Sequence, residues 1–159
     1  MNGPIVWLIA LIALLFLLLT FLKTARARAP TGRWPLHART LLRNQEQVFY
    51  WRLVKAFPNH VILSQVALSQ LLGIDKGAPQ RQALGNRFRQ LCADFVICTK
   101  SFSPVAVIEL DGISHDQPRR QDADTRKAHA LESARIPLHR INVKTLPDEA
   151  ELRQRLALT

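Results

Sequence analysis

Residues 93–115 read ADFVICTKSFSPVAVIELDGISH, and the placement of apolar and charged side chains in this stretch decides the fold around it. Residues 93–99 (ADFVICT) and 105–111 (VAVIELD) are apolar, β-branched runs of strand length. Ser101-Phe102-Ser103-Pro104 between them is short enough for a hairpin turn, and Gly112 stops the second strand. Side chains two apart on a strand share a face, so Glu109 and Asp111 point the same way, about 7 Å apart. They follow a run that must be buried, and two carboxylates there are costly unless something compensates them. A divalent cation with oxygen ligands does so, and Asp94, opening the adjacent strand, is placed to be a third ligand. A plainer reading also stands: Asp111-Gly112 is a turn and Glu109 pairs with an arginine.

Working outward, residues 38–57 have helical spacing (Leu41, Leu42, Val48, Phe49, Leu53, Val54), ended by Pro58-Asn59. Residues 60–63 form a short strand, 66–72 a short helical or irregular stretch, and 74–80 a loop. Helices are expected over 81–91, 121–134 and 147–156, with a strand over 138–143. The order α-β-α-α-β-β-α-β-α predicts an α/β domain, a mixed central sheet flanked by helices.

The helix over 121–134 carries Lys127, four residues before Leu131 and so at the border of a buried face. From there it reaches back to the carboxylates, to orient a water or stabilise phosphate charge; the plainer reading is a solvated pair with Asp124. His115 is either a proton-transfer group or a loop residue. Arg119, Arg120, Arg126 and Arg140 surround the region and either grip phosphates or belong to a scattered basic surface.

Residues 4–22 (PIVWLIALIALLFLLLTFL) hold no charge and as a helix would measure about 28 Å, close to the hydrocarbon thickness of a bilayer. Lys23, Arg26 and Arg28 follow at once, so the positive-inside rule places the N-terminus outside and the rest in the cytoplasm, anchored in the inner (plasma) membrane by one pass. A cleaved secretory signal is the rival, with Ala25-Arg26-Ala27 loosely resembling a cleavage site, but the apolar run is long for one. Residues 23–37 read as a basic linker and 38–159 as one domain.

The net charge is +10, with 22 Lys plus Arg against 12 Asp plus Glu, and none before Lys23. Such an excess suits polyanions, either nucleic acid or anionic lipid. Cys92 and Cys98, six residues apart near one strand, are beyond disulfide reach and read as reduced, half-buried core residues, which suits a reducing compartment.

The run DFVI…VAVIELDGISH, then Asp124-x-x-Lys127, then IPLHRI over 136–141, resembles a bacterial domain family of unknown function assigned to the PD-(D/E)xK nuclease superfamily. It is also similar to the very-short-patch-repair endonuclease-like branch, where an E-x-D-G-x-x-H run recurs. The resemblance covers roughly residues 40–145. It implies a restriction-endonuclease-like core of α-β-β-β-α-β and Mg²⁺- or Mn²⁺-dependent cleavage of nucleic acid, DNA ahead of RNA. By match, Asp94 takes the first acidic position, Glu109 the second, and Asp111 stands where a lysine is usual, so the lysine role moves to Lys127. Glu46 matches an acidic helix position that helps orient the site. The expected catalytic set is Asp94, Glu109, Asp111, Lys127 and His115, with Asp94, Glu109 and Asp111 on the metal. The rivals are a nucleic-acid-binding domain that keeps the fold without the activity, and a membrane-surface or protein-interaction module.

Overall fold

The computed structural model describes residues 3–26, 34–112 and 118–158. The chain divides into two compact units, Met1–Arg39 and Thr40–Thr159. The first contains helix α1, Gly3–Arg26, whose stretch Gly3–Phe21 is long and apolar enough to cross a membrane and holds no buried residue. A helix apolar on every face gains nothing from water, which is why such a segment seeks lipid or a protein interior.

The second unit is an α/β domain. Its elements are α2 (Asn44–Ala56), β1 (Val61–Ala67), α3 (Leu68–Leu71), α4 (Arg81–Phe88), β2 (Cys92–Cys98), β3 (Pro104–Asp111), α5 (Pro118–Ser133), β4 (Leu138–Asn142) and α6 (Glu149–Leu156). The four strands form one mixed sheet in the order β1-β2-β3-β4. β1, β2 and β3 run antiparallel, and β4 lies parallel to β3 after the crossover through α5.

This is the expected element order, with three differences. Helix α2 starts at Asn44 rather than near residue 38, because the backbone amide of Arg43 donates to the Glu46 carboxylate at 2.7 Å and so begins the helix there. Strand β1 runs to Ala67, four residues past the expected end, carried by its ladder to β2. Cys92 is exposed rather than half-buried, whereas Cys98 is buried, and both thiols are free.

Alternation along the strands supplies two cores. Phe95, Ile97 and Ile108 face Phe49 and Leu53 of α2 and Leu152 and Leu156 of α6. Val96, Cys98 and Val107 face Leu68, Phe88 and Leu131 on the α3–α4–α5 side. The ladder pairs Ser64 with Phe95 and Val66 with Ala93, and between them Gln65 takes a left-handed φ of 53°. Past that kink the parity of both strands reverses, since Leu63 and Val66 on β1, and Ala93 and Val96 on β2, join the same core. A non-glycine residue in that conformation is uncommon and persists only when its surroundings hold it.

Phe95 is fully buried and meets Phe49 edge-on, with ring centroids 5.5 Å apart. Truncating Phe95→Ala is expected to cost about 3–5 kcal/mol, whereas Val48→Ala, on the exposed side of α2, changes stability by less than about 0.5 kcal/mol. Denaturant unfolding of the full chain in detergent checks both.

Candidate functional site at the fork of β2 and β3

The ladder between β2 and β3 ends at the pair Phe95 and Ile108. The next opposed residues are Asp94 and Glu109, and here the strands stop bonding backbone to backbone. Side chains take over: the amide of Asp94 donates to Glu109 Oε1 at 3.3 Å, and the amide of Leu110 donates to Asp94 Oδ2 at 2.9 Å. Each acid thus satisfies a backbone donor of the other strand that would otherwise be left unpaired.

Lys127 of α5 completes the arrangement. Its Nζ lies 2.6 Å from Glu109 Oε2, with the two side chains only 11% and 13% exposed. The helix is seated for this contact by Leu131, one turn further on and fully buried. Lys127 therefore pairs with a strand carboxylate and not with Asp124 on its own helix. Burial pushes Glu109 above the usual carboxylate range; the Lys127 hydrogen bond opposes this, and the neighbouring charge of Asp94 adds to it.

The remaining expected residues are placed as follows. Asp111 ends β3 two residues beyond Glu109, in register with Asn142 of β4, and its carboxylate takes no hydrogen bond or ion pair from any described residue. Among the described residues no group of three or more His, Cys, Asp and Glu side chains lies close enough to hold a metal ion. Asp94 and Glu109 meet, and Asp111 is not brought into the same set. Of the four oxygens of Asp94 and Glu109, three already accept from the Asp94 amide, the Leu110 amide and Lys127.

His115 lies outside the described residues, as do the side chains of Arg119 and Arg120. Arg126 is partly committed, pairing with Asp122 at 3.1 Å and donating to the Arg87 carbonyl at 3.0 Å, which ties α5 to the end of α4. Arg140 is exposed on β4, in register with Glu109. Glu46 is engaged at the start of α2. The feature that sequence reasoning did not find is Gln65, whose left-handed backbone lies beside Asp94 on the neighbouring strand; glycine or asparagine would have signalled it, and glutamine does not.

A carboxyl whose pKa is raised by folding contributes most below its unfolded pKa, and that contribution is lost as pH rises through the folded value. Lys127→Met removes the hydrogen bond that holds Glu109 down and so raises it further. The variant is expected to lose stability more steeply than the parent between mildly acidic and neutral pH, as read by Tm against pH in EDTA. Parallel curves would contradict this.

No curated protein and no solved structure matches the chain. A family model described as "Protein of unknown function (DUF2726)" matches residues 38–159, and the chain belongs to that family.

Proposed function

We propose that this chain is a membrane-anchored nuclease-like protein whose α/β domain faces the cytoplasm and hydrolyses phosphodiester bonds of nucleic acid, DNA ahead of RNA, with Mg²⁺ or Mn²⁺. The observation that carries the reading is the convergence of Asp94, Glu109 and Lys127 at the fork of β2 and β3. It matches the acid–acid–amine composition of a PD-(D/E)xK centre, with the amine supplied from α5 and with a restriction-endonuclease-like core as the implied fold.

In this reading Asp94 and Glu109 hold the metal from the sheet edge, and Asp111 adds a carboxylate on the strand face it shares with Glu109. The bound ion would lower the pKa of a coordinated water and offset charge on the scissile phosphate. Lys127, held beside Glu109, would be placed to orient the attacking water or to hold a phosphate oxygen. His115 is the proposed proton-transfer group. Arg119, Arg120, Arg126 and Arg140 supply the sequence-independent grip on the backbone.

A second reading has its own support. Both oxygens of Glu109 are already satisfied, one by Lys127 and one by the Asp94 amide, which is what a purely structural pair requires. Together with Asp111 in place of the usual strand lysine, this favours a binding domain that keeps the fold without the chemistry.

For location, α1 has the length of a span and three cations follow the apolar run. The free thiols of Cys92 and Cys98 suit a reducing compartment. A secretory leader is the competing account of α1.

The chain, purified in detergent, is mixed with plasmid, single-stranded DNA or RNA in Mn²⁺, Mg²⁺ or EDTA. The nuclease reading expects metal-dependent cleavage that falls by about a hundredfold or more in Asp94→Asn, Glu109→Gln and Lys127→Met. Salt-sensitive binding without cleavage in any metal selects the second reading. For topology, a membrane-impermeant maleimide on intact cells is expected to leave the exposed Cys92 unlabelled until the membrane is opened; labelling from outside reverses the orientation.

A further inference from the structure

Among the described residues of the α/β unit, the large apolar side chains left in solvent are Leu41, Val48, Trp51, Leu84 and Phe102. They are not scattered. Val48 and Trp51 lie on α2, Leu41 just before it, and Phe102 at the tip of the β2–β3 hairpin. Lys100 of that tip donates to the carbonyl of Pro58, immediately past the end of α2, at 3.2 Å. Four of the five exposed apolar groups therefore lie on α2, just before it, or on a turn fastened beside its C-terminus.

The exposed side of α2 is a stripe. Asn44, Val48, Trp51 and Lys55 fall at helical spacing and are all exposed, while Phe49, Leu53 and Ala56 on the other side are buried. Trp51 is 61% exposed and packs edge-on against Tyr50. The hairpin tip is a built turn and not a loose one. Thr99 accepts from the amides of Phe102 and Ser103, and Phe102 is held at a φ of 64° with its ring 64% exposed. The left-handed φ closes the turn, while the side chain it carries is left in water and belongs to neither core.

Cations accompany the stripe: Arg43 ahead of it, Lys55 on it and Lys100 beside its end. Of these, Lys55 pairs with Glu149 at 3.6 Å and Glu46 accepts from the Arg43 amide, so Arg43 and Lys100 carry the stripe's positive charge. Tryptophan and phenylalanine flanked by cations are the composition of a surface that enters the headgroup layer of an anionic bilayer.

Residues 22–43 join the membrane-length stretch to α2. Even fully extended they reach only about 75 Å, so a domain tethered by them meets the same bilayer at high effective concentration. Weak docking elements suffice under those conditions.

We infer that the exposed stripe of α2, with the Phe102 hairpin tip, docks the domain onto the anionic surface of the membrane that α1 enters. The inference rests on the reading of α1 as an anchor and is independent of whether the domain cleaves anything. It also orients the site. α2 covers the sheet face built from Phe95, Ile97 and Ile108, whereas α5 and Lys127 cover the opposite face. Docking through α2 leaves the Asp94–Glu109–Lys127 fork on the side turned from the lipid.

The test uses the full chain in vesicles of brominated phosphatidylcholine with or without phosphatidylglycerol. The protein has three tryptophans; Trp7→Phe with Trp34→Phe leaves Trp51 alone, and Trp34→Phe with Trp51→Phe leaves Trp7. Trp51 emission is expected to shift to the blue and be quenched when phosphatidylglycerol is present. The quenching is expected to weaken in high salt and to be lost on Val48→Asp, an exposed site where folding is not at stake. Trp7 quenched with Trp51 unquenched overturns the docking and leaves the anchor standing. Neither quenched overturns the anchor and the docking together. Quenching of Trp51 that Val48→Asp does not change overturns the assignment to this stripe.

Discussion

The amine of Lys127 and the carboxylate of Glu109 meet almost out of water, and the arrangement of the domain's functional face follows from that contact. Removing two ions from water costs several kcal/mol each, so such a pair holds only where its geometry is close and its remaining valences are met. Both conditions apply: the separation is 2.6 Å, and the second carboxylate oxygen takes the Asp94 amide. Losing one partner of a buried pair costs about 3–5 kcal/mol, because the other is left charged and alone. The exposed pairs Arg126–Asp122 and Lys55–Glu149 belong to the class worth about 0–1 kcal/mol. The buried pair therefore sets how α5 is rotated against β3, and the surface pairs do not.

The same contact closes the place where the sheet opens. Beyond Phe95 and Ile108 the antiparallel ladder has no further rungs, and β3 continues against β4 on its other edge. A sheet that forks leaves backbone donors to be satisfied, and here Asp94 and Glu109 satisfy them across the gap. The kink at Gln65 lies opposite the same position on β1. Strain on one neighbour and splaying on the other coincide at Asp94, a pattern typical of residues arranged for something other than sheet stability.

Much of this was legible in the residues. Two apolar runs around a short turn marked the hairpin, the period of a strand put Glu109 and Asp111 on one face, and the spacing from Lys127 to Leu131 set the lysine at the border of a buried surface. The start of α2 was not legible from periodicity, because Leu41 and Leu42 continue the apolar rhythm while the Arg43–Glu46 bond begins the helix after them. The full length of β1 was hidden for a similar reason. Gln65 breaks its alternation by a backbone rotation, so Val66 read as part of a helix although it pairs with Ala93. Expectation and geometry part at Asp111: sharing a strand face with Glu109 does not bring its oxygens into a common set with Asp94.

Charge at the fork carries the last step. Closing the gap between β2 and β3 takes both acids, Glu109 for the Asp94 amide and Asp94 for the Leu110 amide, with Lys127 paired to Glu109. Asp94 places a second carboxylate beside Glu109, close enough that its charge raises the titration of that group. Asp111 adds a third nearby, without a cation from any described residue. The Asp94 charge raises the cost of keeping Glu109 ionised. In a domain whose residues 38–159 hold 18 Lys plus Arg against 12 Asp plus Glu, an arginine at position 111 would have been the inexpensive choice. Carboxylate charge gathered at the end of a buried strand, inside an otherwise basic protein, is the feature on which the proposed metal-dependent reading rests.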